Sequence, residues 1–203
     1  MAVLTFFRVG LICLMLGGCA LAGAGSSAPD TFNLAAPHLT EKAPRRWPVQ
    51  ITVQRPTAMR ALDTDRIVVM APGGRLSYFE DAAWSDRLTS LVHARIVEAM
   101  QDSGAFRAVL TTQDRVDGDY ALAVEVREFQ VDVDSGHAGA VVTLFAKLIQ
   151  EQRGKVIATK EFTAQSAASK DDPAAGVMAL QASFDEVAKD LIAWLSSARH
   201  SSA

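Results

Sequence analysis

Residues 119–133 read DYALAVEVREFQVDV, and their alternation decides the fold class. Tyr120, Leu122, Val124 and Val126 hold even positions, and Phe129, Val131 and Val133 hold odd ones. Side chains alternate between the two faces of a strand, so one apolar face cannot change parity without an inserted residue. The pattern predicts one long half-buried strand with a β-bulge near Arg127 and Glu128. Downstream, DSGHAG turns the chain. AVVTLFAKLIQ reads as a central strand apolar on both faces, and EQRGK makes a hairpin turn around Gly154. VIATKEFTAQ then completes a three-stranded antiparallel meander.

The remaining elements follow on either side. PVQITVQ alternates Val49, Ile51 and Val53 against polar residues, with Pro48 at the strand start. RIVVMA is a second short strand, broken by PGG. SYFE pairs Ser77 with Glu80 as a capping box, and the expectation is a helix with the stripe Trp84, Leu88, Leu91, Val92, Ile96, Ala99 and Met100. Gly104 is placed to end it. FRAVL (106–110) is a strand. Asp172 and Pro173 start a last helix with the stripe Val177, Leu180, Phe184, Val187, Leu191, Trp194 and Leu195. The order β-β-α-β-β-β-β-α, with two amphipathic helices, predicts a two-layer α+β domain: a mainly antiparallel sheet with both helices on one face.

The N-terminus reads as an address. Arg8 is the only charge before Cys19, and VGLICLMLGG behind it is too short for a membrane span, which needs about 20 residues. LGGC (Leu16, Gly17, Gly18, Cys19) resembles a bacterial lipobox. That resemblance implies cleavage between Gly18 and Cys19, with diacylglycerol and an N-acyl chain on Cys19; an ordinary signal with an incidental cysteine is the bland alternative. Cys13 would leave with the signal, so Cys19 would be the sole mature cysteine, excluding an intrachain disulfide and a cysteine zinc site. ALAGAGSSAPD is a small, polar, Gly/Ser-rich tether. The expected organisation is a signal at 1–18, a tether at 19–31, a domain at 32–198 and a frayed tail at 199–203. Ala20, where some envelope lipoproteins carry Asp, favours the outer membrane by analogy with enteric bacteria.

Net charge is −3, and losing Arg8 makes it one unit more negative. With no basic run, the composition argues against a nucleic-acid partner. The histidines, His38, His93, His137 and His200, have no partner at metal-ligand spacing. Glu80, Asp81 and Asp86 read as acids complementing a helix dipole, and Lys170 to Asp172 as a cap. No cofactor and no catalytic residue is expected. Leu76, Tyr78 and Phe79, next to a glycine turn, and Trp84 are candidates for partner or lipid contact; the plainer reading puts them in the core.

Several stretches in order resemble one family. They are TFNLAAP (31–37), WPVQITVQRPTAMRALDTDRIVV (47–69), LSYFEDAAWSDRLTSLVHARIVEAM (76–100) and SGAFRAV (103–109). Together with the lipobox they resemble the ABC-type transport auxiliary lipoproteins, the PqiC-like family. Phe32 stands where that family usually has Tyr, and APGGRLSYF (71–79) is richer in glycine than expected. The resemblance implies a non-catalytic lipoprotein facing the periplasm, partnered with an MCE-domain protein and its ABC permease and ATPase. Such systems move phospholipids or other hydrophobic molecules between inner and outer membranes. A ring-like homo-oligomer would suit a tubular partner. The competing readings are a structural outer-membrane lipoprotein in envelope assembly and a tethered periplasmic hydrolase.

Overall fold

The computed structural model describes residues 28–39, 46–133, 139–170 and 172–198. The signal, Cys19, most of the tether, Arg45, His137, Asp171, His200 and the tail lie outside them. In order the elements are β1 (Asp30–Phe32), β2 (Trp47–Val53), β3 (Thr57–Ala58), β4 (Arg66–Ala71), β5 (Arg75–Trp84) and α1 (Leu88–Asp102). Then follow β6 (Phe106–Thr111), β7 (Tyr120–Asp132), β8 (Gly139–Gln150), β9 (Lys155–Ala167) and α2 (Pro173–Ala198).

β7 organises the nine-stranded sheet. On one side it starts the antiparallel meander β7–β8–β9. On the other it meets three strands in turn, all parallel: β2 at Tyr120–Leu122, β3 at Glu125–Val126 and β4 at Gln130–Asp132. The sheet therefore forks, with β6 beyond β2 and β5 then β1 beyond β4. Its two longest pairings, β7–β8 and β8–β9, are antiparallel. The register of β7 on β8 shifts between Val126 and Glu128. That is the predicted bulge, and it returns Phe129 and Val131 to the face of Leu122, Val124 and Val126.

Both helices contribute to one apolar core with that face. α2 buries Val177, Leu180, Phe184, Val187, Leu191 and Leu195, the predicted stripe. Trp194 is half-buried and sits edge-on to Phe162, centroids 5.7 Å apart. Asp172 caps α2 by accepting the Ala175 N–H at 2.7 Å, with Pro173 as the first helical residue. α1 buries Leu88, Leu91, Val92, Ile96, Ala99 and Met100. Gly104 follows it with φ +62°, a left-handed conformation that favours glycine.

The start of α1 corrects the sequence reading. Ser77 to Glu80 is no capping box, and Trp84 is not helical: Arg75–Trp84 is strand β5. β4 and β5 form a hairpin closed by Pro72, Gly73 and Gly74, with φ +78° and +74° at the glycines. PGG thus joins two strands rather than a strand to a helix. Strands β1 and β3 are likewise additions to the predicted order. Local sequence fits both readings, because Ser-x-x-Glu and an apolar residue four before Leu88 occur by chance. Nonlocal pairing with β4 and β1 selects the strand. Glu80 and Asp81 are therefore exposed strand residues rather than first-turn acids, whereas Asp86 does lie just before the helix. The true N-terminus of α1 is served by a distant loop. Thr64 O accepts from Leu88 N–H at 3.0 Å, and Asp63 Oδ1 accepts from the Thr89 hydroxyl at 2.7 Å.

Gly118, just before β7, is a tight spot. A Cβ there would lie 2.6 Å from Thr52 Oγ1, 3.0 Å from Tyr120 O and 3.1 Å from Glu151 Oε2. The Glu151 carboxylate also accepts the Gly118 N–H at 2.9 Å, tying the β8–β9 turn to β7. Gly118→Ala is therefore expected to lower stability by about 1–3 kcal/mol through overpacking. Urea unfolding measures it, and an unchanged midpoint would contradict the close packing.

Candidate partner-contact surface

The hairpin β4–β5 carries all four of the sequence candidates. The cross-strand pairs Met70–Leu76 and Val68–Tyr78 share one face of the sheet. Arg66, on the same face by alternation, stacks its guanidinium 4.0 Å from the Tyr78 ring centroid. The Tyr78 hydroxyl donates to Ala61 O at 3.3 Å, which holds the ring against the preceding loop. Leu76 and Tyr78 are half-buried, so each offers part of an apolar surface to solvent.

Phe79 and Trp84 point elsewhere. Phe79 packs under the first turn of α2, where a Cβ on Gly176 would lie 3.5 Å from its ring and 3.0 Å from Val131 Cγ2. Gly176, which looks like a weak point in the sequence, lets the helix approach the sheet. Trp84 is 4% exposed and edge-on to Phe129 at 6.0 Å. The structure thus brings Leu76 and Tyr78 together and places Trp84 in the core.

A second feature was not foreseen. Residues 33–39 run as a strap over the helices. Gln181 of α2 clamps it, accepting the Ala35 N–H at 2.8 Å and donating to Ala35 O at 3.1 Å. Between the strap and α1 lies a cleft of about 600 Å3, lined by Leu34, Pro37 and Leu39 and by Arg95, Glu98 and Asp102. Arg95 and Glu98 pair with each other along the α1 wall at 2.5 Å. The one sequence signal was the spacing of Arg95, Glu98 and Asp102, which puts them on one helical stripe.

The remaining polar residues have structural partners. His93 Nε2 lies 3.1 Å from Val53 O, joining α1 to β2. Among the described residues, no three His, Cys, Asp or Glu side chains gather as a metal site. The Asp114 carboxyl is held below the usual aspartate value because it accepts from the Thr111 N–H, with the Thr111 hydroxyl adding to the effect. A lowered folded pKa stabilises the turn above the unfolded pKa and is lost as pH falls through the folded one. The Asp114 side chain, followed by NMR, is expected to titrate with a midpoint below 3.8. A midpoint at or above that value would mean the Thr111 contacts do not persist in solution.

Comparison with known proteins places this geometry. The solved structure of protein XCC0632 from Xanthomonas campestris superposes with a TM-score of 0.73 at 28% identity, covering 86% of this chain and 96% of that one. The hypothetical protein CT253 from Chlamydia trachomatis shares the fold at a TM-score of 0.52, with 7% identity over 74% of this chain and 96% of that one. The uncharacterized protein bll6063 of Bradyrhizobium diazoefficiens is 31% identical over 175 residues. That alignment takes in 86% of this chain and 47% of bll6063, so the chain spans about half the length of that relative. Residues 32–192, from the end of β1 to well into α2, match the family described as the ABC-type transport auxiliary lipoprotein component. With the match spanning both branches of the sheet and both helices, the chain belongs to the ABC-type transport auxiliary lipoprotein component family.

Proposed function

We propose that this chain is a lipid-anchored, periplasm-facing docking component of an ABC transporter. It works with an MCE-domain protein, a permease and an ATPase that move phospholipids or other hydrophobic molecules between the two membranes. The observation that carries the reading is the family match over residues 32–192, which begins where the Gly/Ser-rich tether behind Cys19 ends. A tether of about ten residues spans roughly 15–20 Å as a random coil, which keeps the domain near a bilayer while leaving it free to orient. In this reading the domain contributes binding surface rather than chemistry; His93 joins α1 to β2, and Asp172 and Asp114 serve a cap and a turn. Among the described residues, no helix is long and apolar enough to cross a membrane. In this reading the anchor is the lipid on Cys19. Ala20 after that cysteine favours the outer membrane.

Crosslinked affinity purification of the full-length protein from its native envelope, with mass spectrometry, tests the reading. Recovery of an MCE-domain protein with its permease and ATPase is expected. Recovery of a barrel protein or peptidoglycan enzymes in their place would move the protein to envelope assembly.

A further inference from the structure

Among the described residues, one open edge of the sheet runs beside the half-buried Leu76 and Tyr78. β5 pairs with β4 along one side, but on its other side β1 covers only Ala82–Trp84. Among the described residues, Arg75–Asp81 has no strand on that side. The pairs Ala71–Arg75, Met70–Leu76, Val69–Ser77 and Val68–Tyr78 run in regular register, and the ladder shifts only beyond Tyr78, so Arg75–Tyr78 is the regular part of this open edge. Proteins blunt free edges with lysine, proline or bulges. The edge of β9 carries Lys155 and Lys160, and the first two carbonyls of β6 are taken by the Arg46 guanidinium at 2.9 and 2.8 Å. RLSY at 75–78 has none of these devices.

We infer that the Arg75–Tyr78 edge of β5 is a docking site for an extended segment of a partner protein, added as a further strand. β1 shows that this edge accepts a parallel strand. Side chains set the chemistry of the guest. Leu76 and Tyr78 offer apolar surface on one face, and Arg66 above Tyr78 has no carboxylate partner among the described residues. Glu80 and Asp81 lie beyond Tyr78, where the register shifts, so the charges beside Arg75–Tyr78 are Arg75 and Arg66, and complementarity asks for a segment that alternates apolar residues with at least one Asp or Glu on the Arg66 side. A lipid surface fits less well, because unpaired strand-edge amides are costly in hydrocarbon.

A photo-crosslinking residue at Ser77 of the full-length protein in its native envelope tests this, with Thr159 on β9 as control. The expected adduct joins Ser77, and not Thr159, to one short segment of another protein. A synthetic peptide of that segment should then slow amide exchange only within Arg75–Tyr78. Arg66→Glu should weaken its binding about tenfold or more, with Arg66→Lys intermediate. If the peptide comes from a transporter subunit, this site is where the proposed function acts. If it comes from an unrelated protein yet protects the same amides, strand docking stands and the transport reading fails. An adduct only to a second copy, to this chain's own residues 19–29 or to lipid, no adduct at all, or protection elsewhere would overturn the inference.

Discussion

Phe129→Ala is expected to cost about 3–5 kcal/mol of folding stability, the range for emptying a buried aromatic site. Phe129 is 1% exposed and sits between Trp84 of β5 and Phe184 of α2, at centroid distances of 6.0 and 6.1 Å. It is the first inward residue after the bulge, so it joins a branch of the sheet to the long helix. Its neighbours are held by strand pairing and helix packing and cannot collapse far into the gap. A domain of this size has only about 5–15 kcal/mol in total, so the variant would be near the edge of folding. Urea unfolding followed by tryptophan emission and circular dichroism measures the loss. Phe129→Leu keeps much of the volume and should cost less, about 1–2 kcal/mol. A loss under about 1 kcal/mol for the alanine variant would mean that the three rings are not a working part of the core.

Cys19→Ser is expected to have the largest effect in the cell. If Cys19 carries the lipid, the variant takes no acyl label, processing between Gly18 and Cys19 stops, and the protein leaves the outer-membrane fraction. Each buried methylene of an acyl chain contributes about 0.8 kcal/mol of membrane affinity, so two or three chains anchor firmly and none leaves nothing comparable. Cys13 lies in the segment to be removed, so no other mature thiol can take the lipid. The readouts are palmitate labelling, mass of the mature chain and membrane fractionation. Unchanged processing and unchanged fractionation would remove the lipoprotein reading, and with it the tether geometry of the proposed function. The fold and the family membership would be untouched.

Legibility of the chain in its sequence followed the range of the interactions involved. β7 with its bulge, the hairpin at Gly154, β8, β9 and the capped α2 all rest on local periodicity and on residues with special backbone needs. Those signals lie within a few positions of one another, so a single sequence carries them. The mixed α+β, two-layer class followed from them. β5 was misread because a strand rich in Tyr, Phe and Ala, ending in Trp84 four residues before Leu88, matches a helical stripe as well as a pleat.

The same division holds for the candidate surface. Leu76 and Tyr78 could be picked out as apolar residues beside a glycine turn. Sequence alone does not reveal that they flank a free edge, since that depends on which strands are absent on one side. Arg66 could not be linked to Tyr78, because the two meet only across a hairpin unseen until β5 was known. The fork of the sheet was equally hidden: β7 pairs parallel with three earlier strands, contacts whose partners lie tens of residues away. Local patterning thus carried β7 to β9, α2, most of the core-facing residues and the family likeness. Tertiary packing decided how β7 divides the sheet, where α1 begins and which edge stays open, because these are set by competition among distant strands for the same backbone hydrogen bonds.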